Sequence, residues 1–119
     1  MKTNDLEDRV INFAVFVINI VEGLKNNYSG SYYSNQLMRS SGSPALNYGE
    51  ARSAQSHKDF VHKMGVCLKE FRESYNCIRI IKSANLYTGS LEKMDKVMDE
   101  NHQLVSIFVA SNNSKIVNR

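Results

Sequence analysis

Proline is almost absent from this 119-residue chain, which has one, at position 44, and glycine is sparse at six. That scarcity argues against a turn-rich β protein. With Leu, Ile, Val and Met spread along long segments, it points to an all-helical chain whose glycines and proline mark joints. Cysteine is equally scarce: Cys67 and Cys77 are the two, and on one helix their ten residues of rise put them ~15 Å apart, beyond disulfide reach. The absence of any Cys-x-x-Cys pair removes support for zinc ribbons and thioredoxin-type redox chemistry. Long hydrophobic runs are lacking too. The most apolar stretch, Val10 to Val21, is interrupted by Asn12 and Asn19 and falls short of the ~20 residues a membrane span needs. The opening MKTNDLEDR carries acids where an export signal needs a basic start. A cytoplasmic protein with no membrane partner is therefore expected. The length suits one core, so a single domain over 1–119 is expected, with 111–119 either fraying or running on as an exposed helix.

What the chain does contain is helical periodicity. Leu6, Val10, Phe13, Val17, Ile20 and Leu24 alternate four- and three-residue steps and predict a helix from about Asp5 to Lys25. A second apolar set, Ile11, Ala14, Val15, Ile18 and Val21, lies beside the first. A helix apolar over so much of its circumference must be covered on more than one face, which predicts a subunit interface. The stretch KNNYSGS, Lys25 to Ser31, reads as a loop. A second helix, from about Tyr32 to Ala54, carries the stripe Tyr33, Leu37, Ser41, Pro44, Tyr48 and Ala51. Beside it runs a polar stripe of Gln36, Ser40, Ser43, Asn47 and Glu50, with Arg39 adjacent. Ser56 and Asp59 cap a third helix with Phe60, Met64, Cys67, Phe71, Ile78 and Ile81 on its core face, ending near Ala84. Ser90 caps a fourth, with Leu91, Met94, Met98, Asn101, Val105 and Phe108 inward and Val97 and Leu104 widening the face. Short connections favour antiparallel neighbours, so the fold class is all-α: an up-down-up-down four-helix bundle.

Pro44 lies inside the second helical pattern, where it removes a backbone hydrogen bond and crowds the carbonyl of Ser40 at a cost of ~3 kcal/mol. Two arrangements follow: two helices broken at Gly42 to Pro44, or one proline-kinked helix whose small residues admit a close neighbour. The kinked helix is favoured, because the apolar stripe keeps its phase through the proline. Such a bend would set Arg39, Asn47 and Glu50 against other helices or other subunits.

The segment QLMRSSGSPALNYGEA, Gln36 to Ala51, resembles the signature of the four-helix bundle proteins first noticed as reading frames within intervening sequences of 23S ribosomal RNA genes. Gln36, Leu37, Arg39, Ser43, Asn47 and Glu50 match that pattern, with Pro44 standing three residues before Asn47 where the family often has two. KDFVHKMGVCLKEFRESY resembles the family's third helix through its Lys/Asp-Phe start and its Leu-x-Glu at Leu68 and Glu70. The family is similar to the accessory protein of diversity-generating retroelements, a basic homopentamer that associates with a reverse transcriptase and nucleic acid. The resemblance thus implies a homo-oligomer, a pentamer, with RNA, DNA or a partner protein such as a reverse transcriptase as further partners.

Catalytic motifs are thin. Asp59-x-x-His62 and Asp99-x-x-His102, with Glu22 and Glu50, mimic a bundle di-metal site. However, an antiparallel third and fourth helix would set His62 level with residues near 112, ~15 Å from His102. Ser90 to Lys93 matches Ser-x-x-Lys formally, and a helix cap explains it better. No Gly-rich phosphate loop, Gly-x-Ser-x-Gly elbow or His-Glu-x-x-His occurs. The expectation is a non-enzyme with no catalytic residue, no metal and no cofactor.

The net charge is only +3, yet between Arg52 and Lys82 seven basic residues (Arg52, Lys58, Lys63, Lys69, Arg72, Arg79 and Lys82) face three acids, Asp59, Glu70 and Glu73. An oligomer would repeat that patch, and phosphate contacts add in number through counterion release. The sequence therefore reads as an oligomeric bundle that binds RNA, DNA or a ribonucleoprotein through its third helix. The alternative is an interaction scaffold that recruits a protein without touching nucleic acid.

Overall fold

The structure, a computed structural model, describes the backbone of residues 3–117 and the side chains of residues 5–112. Four helices fill it: α1 (Thr3–Val21), α2 (Tyr28–Arg52), α3 (His57–Ser83) and α4 (Leu91–Val117). α4 is helical well past Ala110, and the last two residues lie outside the described chain. α2 packs on α1 and α3, and α4 packs on the same two, so α1 faces α3 and α2 faces α4 across the core. Polar links between α3 and α4 join Lys82 to Asp95, Ser74 to Asn101 and Asn112 to the Met64 carbonyl, in reverse order along the two helices. The bundle is long and narrow, 47 × 23 × 21 Å.

Each helix sends one ring into the centre. Phe13 meets Phe71 at 5.8 Å, Phe71 meets Phe108 at 5.2 Å and Phe108 meets Tyr48 at 5.8 Å, so α1, α3, α4 and α2 join in one aromatic chain. Around it pack the expected stripe of α1 and the Met64, Cys67, Ile78 and Ile81 face of α3. On α4 the expected face is rotated. Met94, Val97, Asn101, Leu104 and Phe108 are fully covered, whereas Leu91 is 70% exposed. The unbroken four-three alternation runs through Val97 and Leu104, and Leu91 stands at the helix start with no turn before it to pack on.

α2 is one continuous helix through Pro44. Its small residues are sorted by direction. Ser40, Ser41 and Pro44 are buried, and the Cys67 thiol of α3 donates to the Pro44 carbonyl at 3.5 Å. Ser40 was expected on the polar stripe beside the core. It is buried instead because its hydroxyl is satisfied inside its own helix, donating to the Gln36 carbonyl at 2.9 Å.

α2 also begins earlier than its composition suggests. Asn27 accepts from the Gly30 amide at 2.8 Å and caps the helix, so the Tyr-Ser-Gly-Ser expected in a loop forms the first turn. A side chain at Gly30 would lie 1.8 Å from the Lys25 carbonyl oxygen, so glycine there serves close approach. The incoming and outgoing loops at this end are stitched together, with the Lys25 amide donating to Leu86 O at 2.8 Å and the Thr88 amide to Gly23 O at 2.7 Å.

Two polar clasps fix the helices against sliding. Arg9 of α1 forks onto both oxygens of Glu100 at 2.8 and 2.9 Å and reaches Gln103, tying α1 to α4. That hydrogen bonding raises the already high pKa of the guanidinium. Between α3 and α4, Ser74 donates to Asn101 Oδ1 at 2.6 Å and Asn101 Nδ2 donates to the Phe71 carbonyl at 2.9 Å, both side chains being fully buried.

Candidate nucleic-acid interface

The core face of α3 steps through 60, 64, 67, 71, 74, 78 and 81, and the opposite face follows with the same four-three alternation. That opposite face reads Lys58, His62, Gly65, Lys69, Arg72, Asn76, Arg79 and Ser83, and every member is exposed. It contains four permanent cations and no acid, over ~31 Å of helix between Lys58 and Arg79. Of the three acids of α3, Asp59 stands exposed in the first turn next to Lys58, and the other two are turned aside. Glu70 and Glu73 face α2, where both hold Arg39.

The seven basic residues singled out by sequence therefore divide. Arg52 is paired with Glu7 of α1, Lys63 with Glu50 of α2 at 2.5 Å, and Lys82 with Asp95 of α4 at 2.8 Å. These three brace neighbouring helices. Lys58, Lys69, Arg72 and Arg79 enter no ion pair among the described residues, and Arg79 only leans on Asn76 of its own helix at 3.3 Å. Sequence counting could not make this division. The signal was in the spacing, since the four free cations share one four-three helical stripe that the other three do not.

The motif residues of α2 form a bracket within the chain. Arg39 of Gln-Leu-x-Arg meets Glu70 of Leu-x-Glu at 3.0 Å, and Glu50 meets Lys63. Asn47 donates to the Ser43 carbonyl at 2.9 Å and to its hydroxyl at 3.0 Å, inside α2, and Gln36 accepts from Arg39 at 3.5 Å. The partners of Arg39 and Glu50 are thus on α3, close enough that no second subunit is required to satisfy them.

The second apolar set of α1 splits as well. Ile11, Val15 and Ile18 are 45%, 50% and 45% exposed, whereas Ala14 is half-buried and Val21 packs against the core. On the adjoining α2, Met38 and Leu46 are also exposed. Gly42 lies on that helix with open space where a side chain would stand.

Among the described residues no three His, Cys, Asp or Glu side chains converge as metal ligands. His102 instead stacks loosely on Tyr75, ring centroids 5.9 Å apart, while the Met64 carbonyl, two residues beyond His62, accepts from Asn112. Burial pushes the thiols up, Cys67 to about 12 and Cys77 to about 11, so both stay protonated and unreactive at neutral pH. No helix among the described residues is long and apolar enough to cross a membrane.

The class is a four-helix bundle, here with an acid-free face on α3 and an exposed apolar shoulder. Within it, the chain matches the 23S rRNA-intervening sequence proteins over residues 2–109 and belongs to that family. It is similar to a crystal structure of a protein of unknown function from the S23 ribosomal protein family of Bacteroides thetaiotaomicron. That likeness has a TM-score of 0.83 at 26% identity and covers 95% of this chain and 99% of the other. No curated protein matches the chain.

Proposed function

We propose that this protein is a non-enzymatic, self-associating helical bundle of the cytoplasm that binds RNA through the outward face of α3. The observation that carries the reading is the phase of Lys58, Lys69, Arg72 and Arg79, which gathers four unpaired cations on one exposed face without an acid among them. A solvated helix surface commonly alternates charge sign to gain i,i+4 pairs, and this face does not.

Self-association rests on Ile11, Val15 and Ile18, three large apolar side chains half-exposed on one helix. Five copies is the number the family resemblance implies, and a ring would multiply the cationic face five times. The same apolar shoulder supports a second reading, a scaffold that docks a partner protein without nucleic acid.

Light scattering of the purified chain, with and without a mixed RNA pool at low and moderate salt, tests both parts. The expected result is a mass several times the 13.5 kDa of one chain, rising with RNA at low salt and falling back as salt is added. A single-copy mass would overturn self-association, and indifference to RNA at low salt would overturn the RNA reading and leave the scaffold.

A further inference from the structure

Beside the cationic face, a groove of about 430 Å3 lies between α2 and α3 near the stitched-loop end, within the size range of small-ligand clefts. Tyr32 and Tyr33 of α2 form one wall and Asn76 and Ile80 of α3 the other. A second hollow, lined by Asn76, Arg79 and Ile80, adjoins it, so the groove opens onto one of the free cations, Arg79.

Three features give the groove a chemistry. Tyr32 is 48% and Ile80 43% exposed, so an aromatic ring and an aliphatic side chain, one from each wall, reach solvent along the groove. The ring of Tyr32 is held at 86° to that of Tyr33, centroids 5.0 Å apart, and Tyr33 is itself anchored where its carbonyl accepts from the Cys77 thiol at 3.7 Å. Finally, the one carboxylate lining the groove, Glu73, is neutralised by Arg39, while Arg79 at the mouth has no acid on it.

A rigid, flat, apolar wall next to an unpaired guanidinium is the arrangement that accepts a nucleobase and its phosphate together, because every base offers a face for stacking and every linkage a charge. Within a duplex both faces of a base are covered by its stacked neighbours. We propose that this groove stacks an unpaired base of a single-stranded RNA segment on Tyr32, with Ile80 opposite it and Arg79 on the adjoining phosphate. The inference rests on the RNA-binding reading above and adds to it a preference for unpaired over duplex RNA.

The test compares a fluorescein-labelled oligoadenylate of twelve nucleotides with a blunt twelve-base-pair RNA duplex by anisotropy. The protein is the full chain carrying Tyr32→Ala, Tyr32→Phe or no substitution. Tyr32→Ala is expected to weaken oligoadenylate binding about tenfold and leave the duplex unchanged, and Tyr32→Phe to bind both as the unsubstituted chain does. Equal binding of oligoadenylate by all three proteins, with duplex binding intact, overturns the groove and leaves the α3 reading standing. Binding of neither RNA by the unsubstituted chain overturns both. A fall in native mass on Tyr32→Ala would identify the groove as a contact between copies and also overturn the proposal.

Discussion

The buried pair Ser74 and Asn101 allows a test in which removing more polar groups does less harm than removing one. Both side chains have no exposure, and Ser74 donates to Asn101 Oδ1 at 2.6 Å while Asn101 Nδ2 donates to the Phe71 carbonyl at 2.9 Å. Ser74→Ala leaves Oδ1 without a donor where water cannot reach, at a cost of about 1–3 kcal/mol. Asn101→Leu in the unsubstituted background costs less, because the Ser74 hydroxyl can turn to the Phe71 carbonyl, already 2.9 Å away. In the double variant no orphaned group remains, and the Phe71 carbonyl keeps its own helical partner. The double variant should therefore be more stable than Ser74→Ala alone, with a favourable coupling of about 1–2 kcal/mol. Urea titrations followed by circular dichroism measure this, provided the slopes agree. Additive losses, with the double variant the least stable of the set, would refute the reasoning.

Two glycines of α2 should respond in opposite directions: Gly30→Ala meets the Lys25 carbonyl and should destabilise severely, whereas Gly42→Ala enters open space and should stabilise by about 0.5–1 kcal/mol in the same titrations. Thiol burial sets the alkaline limit. Cys67 keeps its proton to about pH 12 in the folded chain, while an unfolded thiol loses it near 8.5–9. The thiol contribution is therefore fully present below pH 8 and falls as pH rises above 9, with Cys67 losing about 1.4–2 kcal/mol by pH 10. Denaturation midpoints across that range check the sign, and a midpoint rising above pH 9 would contradict it. Ile18→Glu, on the exposed shoulder of α1, should keep the helical circular dichroism spectrum and lower the native mass in light scattering; an unchanged mass would remove that shoulder as the self-association face.

The fold was legible because periodicity reports which residues share a face. The core positions of α1 and α3 follow from spacing alone, and Ser56 announces its helix start through capping chemistry, whereas the Asn27 cap was hidden in a stretch that reads as loop. Spacing cannot report distance, however. Gly30 reads as loop in composition and is a first-turn residue in fact, because its role is set by the Lys25 carbonyl beside it. Asn101 sits in the apolar phase of α4, and nothing local points to Ser74, 27 residues away, as its partner. The candidate site followed the same rule. The seven cations were visible, but which of them were free depended on Glu7, Glu50 and Asp95, each on another helix. The motif residues Arg39 and Glu50 were expected to reach between helices or between chains, and only their position opposite Glu70 and Lys63 decides for helices. The groove at Tyr32 left no sequence signal, since its walls come from α2 and α3, with Ile80 standing 48 positions after Tyr32.

The most direct measurement is RNA affinity against salt for the full chain and for a variant with Lys58, Lys69, Arg72 and Arg79 all replaced by glutamine. If each of the four cations displaces about one counterion from a duplex, affinity should fall roughly 150-fold per protomer engaged between 50 and 200 mM salt. The variant should lose both the affinity and the slope, and Lys93→Gln with Lys96→Gln on α4 should keep both. A variant that binds RNA with undiminished affinity and the same salt dependence would show that the outward face of α3 does not meet the phosphates.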